Sequence, residues 1–172
     1  VMIFGESGIL ACSPPDRKPE WQATRRRLEW PNGAVAQTFS AGDPESLRGP
    51  QFDAAWCDEL GKWPKGRAAW DMLRFALRLG TRPRTLVTTT PRDNRLLAEL
   101  LEAPDSVVTR APTEANRMHL AQGFVEALAR RYGGSRLGRQ ELDGEMVAEH
   151  EGALWSRDVL EAARAPREVA LD

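Results

Sequence analysis

Two adjacent acids follow a short apolar run in the segment AAWCDE, residues 54–59. Neighbouring side chains on a β-strand point in different directions, so Asp58 and Glu59 are suited to different tasks. A carboxylate at Asp58 can help to hold hydrated Mg²⁺, which keeps several waters and uses few protein oxygens. A carboxylate at Glu59 can orient and deprotonate a water that attacks a nucleotide γ-phosphate. This is the Walker B arrangement; the alternative is that the acids end a strand and cap the next helix.

Three threonines end a second apolar run, LVTTTP at residues 86–91, one strand–helix unit after the acids. Hydroxyls at the carboxyl end of a strand can bind a phosphate, a water or a neighbouring carboxylate. Ligands of parallel sheets bind at that edge, so Thr88, Thr89 and Thr90 are expected along the same edge as the acids. The alternative is that threonine serves here for its β propensity and that Pro91 ends the strand.

Arginines supply the cationic candidates. Arg48, in a Gly/Pro loop before the acidic strand, could neutralise phosphate charge, although a solvent-facing arginine has the same pattern. Two clusters are candidates for contact with DNA phosphates, with solvated surface as the alternative. They comprise Arg25, Arg26 and Arg27 in the first cluster and Arg82, Arg84, Arg92 and Arg95 in the second.

The glycine-rich stretch GESG, residues 5–8, does not have the spelling of a phosphate-binding loop. Neither G-x-x-x-x-G-K-[ST] nor G-x-G-x-x-G occurs anywhere in the chain, and these patterns supply the amide cradle and the lysine that hold phosphates. The stretch is therefore interpreted as a tight turn between two short apolar strands, residues 1–4 and 8–12.

Composition narrows the class of protein. A chain of 172 residues with 41% hydrophobic and 28% charged residues is ordinary for one globular domain. The net charge of -1 means that any nucleic-acid binding must come from a local basic face. No apolar run is long enough to span a bilayer, so no membrane role is expected. Two cysteines without a C-x-x-C pattern favour a reducing, intracellular compartment, and the tryptophans are expected to serve packing.

The order of predicted elements suggests how these residues are positioned. From residue 51 to 112 the pattern is strand, helix, strand, helix, strand, which favours a parallel sheet with helices on its faces. The Asn32-Gly33 turn predicts a β-hairpin. The predicted elements are a hairpin at 25–40, a buried strand at 51–59, a helix at 63–80 stopped by Gly80, a strand at 83–92, a helix at 94–103 capped by Asp93 or Asn94, a strand at 106–112, helical stretches at 119–134 and 136–150, and a short helix with Ser156 as N-cap.

Several stretches, in order, resemble the large terminase subunit of tailed phages, and above all prophage-type and gene-transfer-agent DNA-packaging proteins. They are SAGDPESLRGPQFDAAWCDELGKW, LVTTTPR, TEANRMHLAQGFVEALARRYGGSRLGRQELDGEM and EGALWSRDVLEAA. The resemblance implies an α/β, P-loop NTPase-like (ASCE) fold with a mainly parallel, incomplete sheet, flanking helices and an antiparallel hairpin. It further implies that residues 1–150 form part of an ATPase domain downstream of its Walker A loop, and that residues 151–172 lead toward a nuclease domain.

The resemblance also implies roles and partners. Asp58 matches the Walker B aspartate that holds Mg²⁺ through water, and Glu59 matches the catalytic glutamate. Thr88, Thr89 and Thr90 match a coupling motif that senses the γ-phosphate, and Arg48 matches a loop arginine acting on ATP in its own or a neighbouring subunit. The implied cofactors are ATP and Mg²⁺. The implied partners are double-stranded DNA, a portal protein, a small terminase subunit and other copies in a ring, in the host cytoplasm at the prohead.

The missing Walker A pattern leaves other interpretations open. If the chain acts only in this form, weak or absent ATP turnover is expected, because no lysine and amide cradle is available to hold the phosphates. One alternative is a degenerate P-loop-like module that binds DNA or a packaging partner without hydrolysis. Another is a different ATPase of the same broad class, such as a helicase.

Overall fold

The computed structural model describes residues 2–147 together with Trp155, Val159 and Ala163. The chain forms two compact units, Val1–Thr89 and Thr90–Asp172. The predicted Ser156 N-cap lies outside the described residues, as does almost all of the predicted linker at 151–172. The single ATPase-domain boundary at 1–150 stays a prediction.

The predicted hairpin is confirmed, and it belongs to a three-stranded antiparallel sheet in the first unit. Its strands are β1 (Glu20–Gln22), β2 (Arg27–Glu29) and β3 (Val35–Gln37), in the order β1-β2-β3. The turn closes through the Trp30 amide, which donates to the Ala34 carbonyl at 2.9 Å, and Gly33 has a φ of 85° that favours glycine. Strand β1, which was not predicted, pairs with β2 and helps to bury Leu28.

The opening stretch differs from the prediction. GESG does form a turn, but residues 2–4 are turn rather than strand, and Ile9–Cys12 is a short helix, α1. The chain folds back on itself, because the Ile9 amide donates to the Met2 carbonyl at 2.9 Å. A Cβ on Gly8 would lie 2.7 Å from the Ile3 carbonyl oxygen, so this close approach requires glycine. The prediction of two strands, residues 1–4 and 8–12, is wrong.

The acidic strand and the threonine strand form a parallel pair, as predicted. They are β4 (Ala54–Asp58) and β5 (Arg84–Thr88), with Asp58 opposite Thr88. The connecting segment contains a 3-10 turn, Leu60–Lys62, and helix α2, Gly66–Ala76. The predicted helix at 63–80 is shorter because the backbone after Ala76 pairs with Phe52 instead: the Arg78 amide donates to the Phe52 carbonyl at 3.1 Å.

Burial in this part of the first unit is one-sided. Helix α2 turns Ala69, Trp70, Leu73 and Ala76 inward, and a 3-10 turn at Pro44–Leu47 packs against it. In β4, by contrast, Cys57 is buried while Trp56 is 40% exposed. The prediction of a fully buried strand is therefore wrong for the described residues, because only one face of the two-stranded sheet is covered.

The second unit is helical in its described part. Its helices are α3 (Arg95–Glu102), α4 (Phe124–Tyr132) and α5 (Arg136–Glu141), with a 3-10 helix at Thr113–His119. Asn94 caps α3 by accepting hydrogen bonds from the Leu96 and Leu97 amides at 2.9 and 3.3 Å, which selects Asn94 over Asp93. Arg117 joins the 3-10 helix to α4 by pairing with Glu114 and Glu126.

The predicted strand at 106–112 does not form. These residues have no strand conformation, and Val107 is 94% exposed. β-Branched residues favour strands only where a neighbouring strand supplies hydrogen bonds and packing, and this segment has none. The strand–helix–strand–helix–strand alternation is therefore broken at its last member.

The fold class α/β is confirmed, and its detail is corrected. The described residues contain a three-stranded antiparallel sheet and a two-stranded parallel sheet, so the prediction of a mainly parallel sheet is wrong for them. The predicted hairpin grew into the larger sheet because β1 added a third strand. The P-loop NTPase-like identification stays a prediction.

Candidate active site

The carboxyl ends of β4 and β5 bring an acid and a hydroxyl into contact. Thr88 Oγ1 donates a hydrogen bond to Asp58 Oδ1 at 2.8 Å, and the indole Nε1 of Trp56 donates to Thr88 Oγ1 at 3.0 Å. The contact follows from the parallel register, in which Asp58 and Thr88 are partners. Asp58 Oδ2 makes no hydrogen bond to any described residue.

Glu59 occupies an unusual backbone position immediately after the strand. Its φ of 51° and ψ of 44° are left-handed, a region that costs a residue other than glycine about 1–3 kcal/mol and persists where neighbouring contacts enforce it. Those contacts are present: the Lys62 amide donates to the Glu59 carbonyl at 2.8 Å, and Trp63 Nε1 donates to the Asp58 carbonyl at 2.9 Å. The chain therefore turns sharply between the two acids.

The Glu59 carboxylate pairs with the lysine three residues later. Lys62 Nζ lies 3.0 Å from Glu59 Oε2. This oxygen is buried, yet it accepts no well-directed hydrogen bond within the described residues. Glu59 Oε2 thus has an ionic partner but keeps hydrogen-bonding capacity, which suits a carboxylate that must accept a proton.

The three threonines of residues 88–90 differ in their contacts, and the boundary between the two units falls after the second of them. Thr88 contacts Asp58, whereas Thr89 Oγ1 accepts a hydrogen bond from the Gly61 amide at 3.0 Å and so ties β5 to the turn after Glu59. Thr90 is the first residue of the second unit. Within the first unit, the structure therefore brings Thr88 to Asp58 and Thr89 to the turn that follows Glu59.

Arg48 lies at the opposite end of β4 from the acids. It pairs with Glu45 at 2.5 Å and lines a groove of about 410 Å³ beside the C-terminal half of α2, together with Met72, Phe75 and Arg78. The Arg78 amide pairs with Phe52, which precedes β4. From Phe52 to Asp58 an extended chain covers roughly 20 Å. The structure therefore does not bring Arg48 to Asp58 and Glu59.

The arginines proposed to contact DNA differ in their surroundings. In the first unit Arg25 and Arg26 are exposed in the turn between β1 and β2, while Arg27 is engaged by Glu29 and Gln22. In the second unit Arg95 pairs with Glu99 at 3.1 Å. Arg92 is half-buried, with its Nε buried and without a hydrogen-bond partner among the described residues. Arg82 and Arg84, the other members of the second cluster, are exposed. DNA contact stays a prediction for all seven arginines.

Comparison with known proteins identifies the family. Residues 2–162 match the family model described as terminase large subunit, T4likevirus-type, N-terminal. The chain belongs to this terminase family. The resemblance stated from the sequence motifs is thereby confirmed, and membership indicates a role in DNA packaging. A comparison with curated proteins finds no match.

Sequence reasoning missed three residues of this candidate site, Trp56, Trp63 and Lys62, the last of which pairs with Glu59. Trp56 and Trp63 were expected to serve packing, but each donates an indole hydrogen bond at the Asp58 end of β4. Trp56 lies two positions before Asp58, and that spacing places both side chains on the same face of a strand. The same spacing in the sequence is a signal that could have found it.

A magnesium ion at this candidate site would take most of its ligands from water, because the described residues offer few carboxylates. No group of three or more His, Cys, Asp or Glu side chains within the described part of the chain could hold a metal ion. Asp58 nevertheless offers Oδ2, while Thr88 occupies Oδ1. Because Mg²⁺ keeps several waters and is commonly bound by one or two carboxylates plus substrate phosphates, Asp58 fits that role.

The described part of this terminase chain contains no helix that is both long and apolar enough to cross a membrane.

Cys57, on the strand beside Asp58, is predicted to be chemically inert in the folded terminase chain. Burial raises the pKa of its thiol to about 12, so the reactive thiolate is scarce at pH 8, whereas Cys12 is exposed. Counting thiols with a chromogenic disulfide reagent at pH 8 should find rapid labelling of Cys12 only. A Cys12→Ser chain that labels as fast when folded as in denaturant would contradict this.

The same shift predicts the sign of a pH effect. The folded pKa lies above the ordinary value of 9.0, so the folded state binds the thiol proton more tightly than the unfolded state. The contribution of Cys57 to stability is therefore complete below pH 9 and is lost as the pH rises toward 12.

Proposed function

We propose that this chain supplies the hydrolytic edge of an ATP-driven terminase motor that moves double-stranded DNA into a capsid. The observation that carries the proposal is the Thr88–Asp58 hydrogen bond at the carboxyl edge of two parallel strands, followed immediately by Glu59 in a left-handed backbone conformation. Such an edge is where α/β proteins bind ligands. Family membership supports the packaging context.

Each acid has a separate task in this proposal. Asp58 would hold hydrated Mg²⁺ through its unbonded Oδ2, and a bound ion would supply neutralisation of phosphate charge. Glu59 orients the attacking water and accepts its proton at the carboxylate. The two carboxylates have different partners, Thr88 for Asp58 and Lys62 for Glu59, which supports separate tasks for the metal and the water.

The surrounding contacts keep the acids in place. Lys62 restrains the Glu59 carboxylate, and Thr89 holds the turn that follows it through the Gly61 amide. A change in the length or direction of β5 would therefore alter the positions of both Asp58 and Glu59. This supports a coupling role for Thr88 and Thr89, in which events at the nucleotide move the second unit through Thr90 and the chain that follows.

We assign the partners by the same proposal. Double-stranded DNA, a portal protein and a small terminase subunit are the partners, and the motor is a ring of subunits at the prohead. In the first unit, Arg25, Arg26, Arg82 and Arg84 are exposed candidates for contact with DNA phosphates, whereas Arg27 is already paired. A non-hydrolysing module that binds DNA or a packaging partner is the second candidate.

The two candidates are separated by the magnesium dependence of ATP turnover. The assay uses a full-length terminase large subunit that contains this sequence, since the 172 residues lack a Walker A pattern. Asp58→Asn removes a charged ligand, and we expect the Mg²⁺ concentration for half-maximal turnover to rise roughly 10- to 100-fold. Asp53→Asn, an exposed acid just before β4, is the matched control and should change nothing. Absence of turnover in the parent protein would favour the binding module.

The position of Arg48 supports action on the ATP of a neighbouring subunit. It lies at the far end of β4 from Glu59, beside the C-terminal half of α2. A head-to-tail contact in a ring joins different surfaces of adjacent subunits, so Arg48 of one copy can approach the acidic edge of the next.

Mixing two inactive variants tests this arrangement. Arg48→Ala and Glu59→Gln subunits should each lack turnover, but a random mixture should recover it at about a quarter of the sites, where an intact Glu59 meets an intact Arg48 from its neighbour. A mixture as inactive as its parents would indicate that Arg48 acts within its own subunit.

A further inference from the structure

Trp56 makes a contact that the proposed chemistry does not yet use. Its indole Nε1 lies 3.0 Å from Thr88 Oγ1, and Thr88 Oγ1 lies 2.8 Å from Asp58 Oδ1. We propose that Trp56 is a positioning residue for the metal-binding carboxylate of Asp58 and acts through the Thr88 hydroxyl. This inference rests on the proposed function, because it assigns Asp58 to Mg²⁺.

The direction of the hydrogen bonds follows from the chemistry of the indole. An indole N–H can only donate, so the Thr88 oxygen must accept from Trp56. The single hydroxyl hydrogen of Thr88 is then directed to its other neighbour, Asp58 Oδ1. Because a carboxylate only accepts, both bonds are satisfied in this one arrangement, and Asp58 keeps Oδ2 for the ion.

The strand register makes the arrangement possible. Trp56 and Asp58 lie two positions apart and so share one face of β4, while Thr88 is the partner of Asp58 on β5. From Trp56, Thr88 is the diagonal neighbour across the strand pair, at a distance that a large aromatic side chain can bridge. Without the indole donor, the Thr88 hydroxyl could rotate among its staggered positions and take water as a partner instead.

A consequence is that the first two threonines of the run serve the acids. Thr88 is committed to Asp58, and Thr89 accepts from the Gly61 amide in the turn after Glu59. Both therefore help to hold the proposed hydrolytic edge in shape.

A double-mutant cycle of Trp56→Phe and Thr88→Val tests the inference in the full-length terminase large subunit. Trp56→Phe keeps an aromatic ring but removes the donor, and we expect it to raise the Mg²⁺ concentration for half-maximal ATP turnover about three- to tenfold, with turnover at saturating Mg²⁺ little changed. In the Thr88→Val background, Trp56→Phe should cause no further rise in the Mg²⁺ requirement, because the hydroxyl through which Trp56 acts on Asp58 is already absent. Thr88→Ser should restore the parental requirement.

A second measurement follows the hydrogen bond itself in the 172-residue chain. The indole Nε1–H resonance of Trp56, assigned by its loss in Trp56→Phe, should move in Thr88→Val and stay in Thr88→Ser. Trp155→Phe, at an exposed tryptophan, is the matched control for both measurements.

The outcomes separate this inference from the function on which it rests. An unchanged Mg²⁺ requirement in Trp56→Phe overturns the role of Trp56 alone, as does an effect that persists in full in the Thr88→Val background. An indole resonance indifferent to Thr88→Val also overturns it. If the parent protein shows no magnesium-dependent turnover, the proposed function is overturned. The role of Trp56 and Thr88 in positioning a metal-binding Asp58 is then overturned with it.

Discussion

Replacing Glu59 by glutamine is expected to lower ATP turnover by a full-length terminase large subunit about 10²- to 10⁴-fold, the usual contribution of a general base. Glutamine keeps the size of the side chain but cannot accept the proton of the attacking water. ATP binding should survive, because Glu59 is assigned to water rather than to the metal or the phosphates. Turnover should therefore fall, while nucleotide affinity, measured separately, should stay at the parental value.

The Glu59 prediction needs a control for the substitution itself. Glu6→Gln changes an exposed glutamate in the opening turn and should leave turnover at the parental level. A Glu59→Gln protein that hydrolyses ATP normally would remove Glu59 from the chemistry. Loss of turnover together with loss of nucleotide binding would instead indicate damage to the fold, since Glu59 also pairs with Lys62 and holds a left-handed turn.

Leu60→Ala is expected to have the largest effect on stability, lowering the free energy of unfolding by about 2–5 kcal/mol. The Leu60 side chain has no solvent exposure, so its truncation leaves a cavity beside the residue proposed as the general base. Denaturant unfolding followed by tryptophan fluorescence measures the change. The effect should also loosen the turn that carries Glu59.

The matched control for Leu60 lies on the open face of the parallel sheet. Leu86 is 59% exposed, so Leu86→Ala removes the same atoms from a side chain that already contacts solvent. It should lower the free energy of unfolding much less than Leu60→Ala does. Equal losses for the two variants would contradict the burial that distinguishes them.

Elements with strong local signals were predictable from the sequence. The hairpin at Asn32-Gly33 formed as expected because its turn chemistry is local, and Asn94 capped α3 for the same reason. The parallel pairing of β4 and β5 was also predicted, because a helix-length segment between two apolar runs is the connection that a parallel pair requires. Asp58 and Thr88 could therefore be expected on one sheet edge.

Other elements depend on contacts that no local pattern reports. The stretch at 106–112 has the composition of a strand but lacks a partner, and the apolar opening stretch became a turn and a short helix through its own backbone contacts. Helix α2 ended earlier than predicted because the backbone after Ala76 donates hydrogen bonds to the carbonyl of Phe52, which is distant in sequence. A missing partner strand, contacts within the opening stretch and a hydrogen bond to distant Phe52 decided these outcomes in turn.

The sequence by itself determined the family, the α/β class and the two acids and threonines that meet at the end of β4, because residue type and order are sufficient for these. Only the tertiary structure decided that Arg48 lies near the opposite end of β4, that Glu59 takes a left-handed backbone conformation after Asp58, and that Trp56 donates to Thr88. The physical reason is that strand register, backbone dihedrals and hydrogen-bond direction arise when distant segments pack, and spacing along the chain does not encode them.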